Sequence, residues 1–366
     1  MTTLSAAHHQ WATRPDDECY YSLGSLHDAA VGYKDRAKRT DGVPTEKLRV
    51  ANVGGDVKLI GQKHEIDLTN WSFGQLSTLA EAPASYLQRL PADLAVANIN
   101  HGLQRSAQHT NRDNRMLFDI RTPSEKADKG MVTLRALTSE RYTRIWNADI
   151  TRRLVDLESE GTWRPAPAAF DGKRGLYLSD RDMFAFLVDN DRRIFEKGPG
   201  GGLSKGFFVR NSEVGATSFS VTTFFYNYIC GNHYVWGASG VREIKIKHVG
   251  KADSIAFEGL EAELVKYHDE SVSDDELRVE KMRKYVIGKD LEEILDTVLG
   301  MRLPGLGKSV VSDAYKLAEQ REDWYGAPNT MWGLAGGLTE IARDMPIASD
   351  RVGLEATTGK LMEIAF

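Results

Sequence analysis

The chain has 366 residues, 41% of them hydrophobic and 27% charged, with 47 Lys and Arg against 52 Asp and Glu. These proportions point to a globular chain with a substantial core and exclude a disordered or collagen-like one. No run reaches the roughly 18 apolar residues that a membrane-spanning helix needs, and the first residues lack the charged-then-apolar pattern of a secretion signal. The chain therefore reads as cytosolic, with no membrane partner.

Residues 1–46 are polar, with Lys34, Arg36, Lys38 and Arg39 preceding Asp41-Gly42-Val43-Pro44, and are expected to form a loosely ordered arm. Leu48 to Ile60 reads as a hairpin, two short apolar strands around Gly54-Gly55-Asp56. Residues 72–108 form a helical block, with Pro83 and Pro91 where first helical turns would begin. Met131 to Trp146 reads as a second hairpin, and Asn147 as the cap of the helix that follows. Residues 161–175, punctuated by Pro165, Pro167, Gly172 and Gly175, read as a loop. Strand patterning resumes at Leu176 and runs to Asp189. A Gly-rich loop follows at 198–206.

Gly206 to Lys251 is the most informative stretch. GFFVRN and the Thr-, Tyr- and Phe-rich run from Phe219 to Cys230 are expected to pair through a turn at Glu213 to Gly215. On the longer run Phe219, Val221, Thr223 and Phe225 share one face, and Ser220, Thr222, Phe224 and Tyr226 the other. Next, VREIKIKHVGK alternates Ile244 and Ile246 against Lys245 and Lys247, giving a strand with one apolar and one basic face. From about Asp253 the apolar period changes to helical. The expected fold is α+β: a central antiparallel, hairpin-built sheet with helices packed on it, over residues 47–251, and an acidic helical region over 252–366.

Charge is distributed unevenly. Residues 1–130 carry 16 basic and 16 acidic side chains, residues 131–250 carry 17 and 13, and residues 251–366 carry 14 and 23. A basic centre permits a polyanion partner, although many enzymes share such a balance. The two cysteines, Cys19 and Cys230, form neither a CxxC pair nor a disulfide framework, consistent with a reducing compartment.

Several short motifs suggest enzymes without completing their patterns. Gly307-Lys308-Ser309 ends like a phosphate-binding loop, but Arg302 stands where that loop requires glycine, so an interhelical turn is expected. Gly198 to Lys205 lacks the glycine that should precede Lys205. Glu243-Ile244-Lys245 matches half of a metal-dependent nuclease signature, with Asp180, Asp182 and Asp189 as candidate partner acids. The nine histidines are scattered. No metal or other cofactor is expected.

What remains is a concentration of basic and aromatic residues. Arg242, Lys245, Lys247, His248 and Lys251 follow the long strand, Lys205 and Arg210 lie on its partner, and Arg135, Arg141 and Arg144 flank Tyr142 and Trp146. Such a sheet can track a phosphate backbone and stack bases. For any one of these residues, a solvated strand face or an ordinary core contact is the simpler explanation.

WSFGQLSTLAEAPASYLQRLP, LRALTSERYTRIWNADI, GLYLSDRDMFAFLVD and GFFVRNSEVGATSFSVTTFFYNYICGNHYVWG with REIKIKHVG resemble the phage/plasmid-like proteins that carry domain of unknown function 932. NTMWGLAGGLTEIA is similar to the tail of longer members. The likeness spans roughly residues 48–366. Many members have C-T-N-G where this chain has Cys230-Gly231-Asn232-His233. The resemblance implies a mobile-element protein and carries over no catalytic set. By analogy of architecture it admits a Rad52-like annealing protein. Three functions follow as expectations: an oligomeric, non-enzymatic single-stranded-DNA-binding or annealing protein; a nuclease using Glu243 and Lys245; and an interaction protein that blocks a host defence factor through its acidic helices.

Overall fold

The computed structural model describes residues 15–365 except 63, 111–112, 122–130, 167–174, 195–201, 228–232, 235–242, 270–272 and 345–347. The fold is α+β and rests on two sheets rather than one. The smaller sheet comprises β2 (Ala37–Pro44), β3 (Val50–Val53), β4 (Asp56–Ile60), β5 (Glu65–Leu68), β6 (Asp113–Arg121) and β7 (Met131–Ser139). Its order is β2-β6-β7-β5-β4-β3, with β5 and β7 parallel and its other pairs antiparallel. The larger sheet is wholly antiparallel in its described pairs. It comprises β1 (Cys19–Tyr20), β8 (Trp163–Pro165), β9 (Leu176–Leu178), β10 (Met183–Ile194), β11 (Leu203–Asn211), β12 (Phe219–Asn227), β13 (His233–Tyr234) and β14 (Glu243–Ile246).

The segment expected to be a loose arm is folded from residue 15 onward. Helix α1 (Leu23–Asp35) starts at a capping box between Ser22 and Ser25, which satisfies otherwise orphaned amides. Leu23, Leu26 and Ala30 lie on one helical face, and all three are fully buried against the larger sheet. Two members of the basic run that follows pair with acids from other elements: Lys34 with Asp149 at 2.6 Å and Arg36 with Asp119 at 2.9 Å.

The hairpin at Leu48 to Ile60 forms as expected. Gly54 and Gly55 adopt φ of +66° and +96°, the left-handed conformations that a two-residue turn between right-twisted strands demands. The helical block is also present, as α2 (Asn70–Leu79), α3 (Ala84–Leu87) and α4 (Ala92–Thr110), packed on the smaller sheet around Leu76, Ile99, Leu103 and Leu134. The second hairpin is a correction. Met131–Ser139 pairs with Asp113–Arg121, not with residues 140–146, which form a turn with one isolated bridge, Tyr142 to Val249.

In helix α5 (Asn147–Ser159) the capping position belongs to Trp146, and Asn147 is the first helical residue. The Asn147 amide donates instead to the Glu213 carboxylate at 2.9 Å. A charge at the positive end of the helix thus replaces the expected Asn cap.

Helix α6 (Ala252–Asp269) packs on the larger sheet, where Leu260, Leu264 and Tyr267 join its core. The first helix of the acidic region thus belongs to the sheet's core, and the helices after it build a second one. That core is built by α7 (Ser273–Lys284), α8 (Leu291–Gly300), α9 (Lys308–Gln320), α11 (Met331–Asp344) and α12 (Ala348–Glu363), with the short α10 (Glu322–Tyr325) beside it. Gly337 allows α11 to approach α9 closely, since a Cβ there would come within 2.0 Å of the Ala314 carbonyl oxygen. Residues 301–307 connect α8 to α9, as the interhelical reading of the Gly307-Lys308-Ser309 stretch anticipated. Among the described residues no helix is long and apolar enough to cross a membrane.

Candidate nucleic-acid interface

Register decides which basic side chains can meet a ligand. Across the larger sheet Leu176, Ala185, Val209, Val221 and Ile244 align on one face, and this face packs against α1, α5 and α6. Tyr177, Phe184, Arg210, Ser220 and Lys245 align on the opposite face. That second face is not an open groove. Tyr177 and Phe184 are 0% exposed and Arg210 only 7%; the Arg210 guanidinium sits 5.0 Å from the Phe184 ring centroid. Lys245, at the sheet edge, is the member of this row that emerges into solvent.

Lys205 is likewise interior. Its ammonium donates to the Tyr267 carbonyl oxygen at 2.9 Å and lies over the Tyr267 ring, while that ring stacks on Trp163. A buried lysine retained in this way serves the packing of β11 on α6.

Arg135 and Arg144 belong to a polar junction between the two sheets. Arg135 on β7 pairs with Glu213 in the β11–β12 turn at 3.1 Å, both side chains almost fully buried, and also donates to the Asp180 carbonyl. Tyr33 of α1 covers the Arg135 guanidinium, 4.8 Å from ring centroid to carbon. The Arg144 Nε donates to the Glu213 backbone carbonyl at 2.7 Å, and burial lowers the pKa of this guanidinium from its ordinary value. Trp71 Nε1 and Gln75 Nε2 of α2 both donate to the Val214 carbonyl at 2.9 Å. Asn211 reaches the Ile145 carbonyl and the Asn147 side chain. The Arg-Asn-Ser-Glu-Val-Gly string is thus a fastening point, with Gly215 at φ +83° completing its turn.

Glu213 is the key residue that the sequence reading used only as a turn marker. Its signal was available: a lone acid at the tip of a long apolar hairpin, with several arginines elsewhere in the same region to neutralise it.

His248 is also withdrawn from solvent. Its Nδ1 donates to the Thr143 carbonyl at 3.0 Å, and its ring stacks on Tyr142 with centroids 4.9 Å apart. Desolvation pushes its pKa down to about 4, so at neutral pH the ring is uncharged and cannot attract phosphate. Burial raises the pKa of the Tyr142 phenol in turn; that hydroxyl donates to the Ser212 carbonyl at 2.8 Å.

These contacts bring two exposed turns together. The Tyr142–Val249 bridge, Thr143 N to the His248 carbonyl at 2.8 Å and Thr143 Oγ1 to the Gly250 carbonyl at 2.7 Å tie residues 140–144 to 247–251. Arg141, Lys245, Lys247 and Lys251 are exposed there, beside the exposed Val249. Of the ten residues expected to contact nucleic acid, these four remain at an accessible edge. Arg135, Arg144, Lys205, Arg210 and His248 each make an internal contact instead. Arg242 lies outside the described residues.

The backbone positions of Asp182, Asp189 and Glu243 lie well apart. Asp182 immediately precedes β10 and Asp189 lies on it seven residues later, about 23 Å in an extended chain. Glu243 pairs with Thr222, which aligns with Phe208 and then Phe186 of β10, about 14 Å away across three strand spacings. Asp182 is held in a tight turn by Ser179, and the buried Asp189 approaches His268 at 3.7 Å. Among the described residues no group of three or more His, Cys, Asp or Glu side chains is arranged to hold a metal ion.

No family model, curated protein or solved structure matches the chain.

Proposed function

We propose that this chain binds single-stranded nucleic acid through the edge formed by Arg141, Lys245, Lys247 and Lys251, without catalysing a reaction on it. The observation that carries the reading is the joining, by the Tyr142–Val249 bridge, of the turn that exposes Arg141 beside Glu140 to the exposed basic turn that follows β14. Four flexible cations along one edge suit a sequence-independent phosphate backbone. The Tyr142–His248 stack ties together the two segments that carry Arg141 and Lys247.

Four contacts give only modest affinity, so tight binding on this reading requires several copies aligned along one strand. The partner is then DNA held by a homo-oligomer, as in annealing proteins, and the resemblance to phage/plasmid-like proteins belongs to the same proposal.

Electrophoretic shifts of a labelled single strand provide the test. Four phosphate contacts per copy give a log–log salt slope of about −3, or roughly a 50-fold loss of affinity between 50 and 200 mM salt. Replacing all four residues by Gln is expected to abolish most of that slope. Equal binding to duplex and to heparin, or a slope unchanged in the variant, would overturn the proposal.

A further inference from the structure

On the smaller sheet, a cavity of about 640 Å³ opens between α2, the start of α3, α4 and strands β6 and β7. Two residues bordering it are locally unfavourable choices. Gly74 stands in the middle of α2, where glycine weakens a helix, yet a Cβ there would meet nothing within 4 Å. Gly74 borders the same cavity as Leu79 and Leu137, so a side chain at that position has open space to occupy. Glu81, just past the end of α2, adopts φ of +57°. Its amide bonds the Thr78 carbonyl while Ala82 N bonds the Ser77 carbonyl; this left-handed helix end ordinarily takes glycine. Neither departure is explained by packing. One keeps the cavity open, and the other sets a carboxylate at its mouth.

The wall chemistry selects the sign of a ligand. Gln75 accepts from Leu137 N and donates to the Val214 carbonyl, Trp71 Nε1 donates to the same carbonyl, and Asn114 Nδ2 donates to the Val43 carbonyl and Thr45. The Thr78 hydroxyl donates to the Gly74 carbonyl. These donors already serve the protein itself, and Glu81 is the sole charged side chain among the described residues lining the cavity. An anion would meet the carboxylate with little to neutralise it. A ligand with an apolar body and one cationic head would bury the body against Leu79, Leu137 and Trp71 and present the head to Glu81.

We infer that this cavity is a binding site for a small organic cation, an amine or guanidinium carried on an apolar body. The cavity lining shares no residue with the proposed nucleic-acid edge, and the inference does not depend on nucleic-acid binding.

Calorimetric titration of the full chain with benzylamine, benzyl alcohol and benzoate tests it. Benzylamine is expected to bind about fivefold more tightly than the neutral alcohol, the gain of one partly exposed ion pair, and benzoate more weakly than either. Glu81→Gln should bring benzylamine down to the level of the alcohol. Gly74→Leu should remove binding of both, with an unchanged circular dichroism spectrum showing that the chain is folded; Gly74→Ala, which fills less space, should weaken both. No binding of benzylamine at millimolar concentration, equal affinity for the three probes, or full affinity in Gly74→Ala would each overturn the inference.

Discussion

The molecule carries two populations of basic side chains within one small region, and they do opposite work. Arg135, Arg144, Lys205 and Arg210 make internal contacts, whereas Arg141, Lys245, Lys247 and Lys251 are exposed at an edge. Each inward cation is matched to an acceptor or a ring: Glu213 for Arg135, the Glu213 backbone for Arg144, Tyr267 for Lys205 and Phe184 for Arg210. The outward four are presented on backbone ties rather than by burial. Residue type and proximity in sequence therefore say little about whether an arginine binds a ligand or fastens two sheets. The covering of the strand face decides it.

The sharpest way to break this comparison is to remove Glu213. Glu213→Ala leaves Arg135 buried without its counter-charge and uncaps α5, and a loss of about 3–5 kcal/mol in urea unfolding is expected. Glu213→Gln keeps an acceptor for the Asn147 amide and should cost less, about 1–3 kcal/mol. A loss below 1 kcal/mol in Glu213→Ala would show that the junction does not hold the sheets together.

Next in size is a pH effect. The His248 pKa falls from 6.5 unfolded to about 4 folded, so in acid the unfolded chain takes up this proton first. Stability is full above pH 6.5 and falls as the pH drops towards 4, by at most about 1.4 kcal/mol per pH unit from this group. His248→Asn, which retains a donor for the Thr143 carbonyl, should remove that share of the slope between pH 6.5 and 4. Parallel slopes in the two proteins would contradict the burial of His248.

A smaller contrast tests individual cations. Lys205→Met removes the donor to the buried Tyr267 carbonyl and is expected to cost about 1–3 kcal/mol. Lys245→Met, at the exposed edge, should change stability by less than about 0.5 kcal/mol while lowering the nucleic-acid salt slope by about 0.7. If both variants changed stability equally, the division into inner and outer cations would fail.

Much of the fold was legible because periodicity survives without tertiary context. The glycine pair at 54–55, the alternation from Phe219 and the helical period after Asp253 are local patterns, and each appears where expected. Other elements were visible but misassigned. Leu23, Leu26 and Ala30 form an apolar helical face inside a segment whose many charges suggested a loose arm. Asp113–Arg121, to which the sequence pattern assigns no element, sets Met116, Phe118 and Ile120 against Arg115, Asp119 and Arg121, with the buried Leu117 interrupting the polar face, and its role as partner of Met131–Ser139 had to come from the register. The parallel pairing of Asp67 and Leu68 with Thr133 and Leu134 left no local mark at all, since parallel partners lie far apart in the chain.

The basic edge illustrates where the sequence stops. Alternation alone placed Lys245 and Lys247 opposite Ile244 and Ile246, because side chains on a strand alternate between faces whatever surrounds them. It equally placed Arg210 in line with Lys245. Only tertiary packing closed the sheet over Arg210 and left Lys245 in water, and only the antiparallel bridge between residues 142 and 249 brought Arg141 opposite Gly250, next to Lys251. Local stereochemistry sets the direction in which a side chain points; what waits there is set by elements distant in the chain.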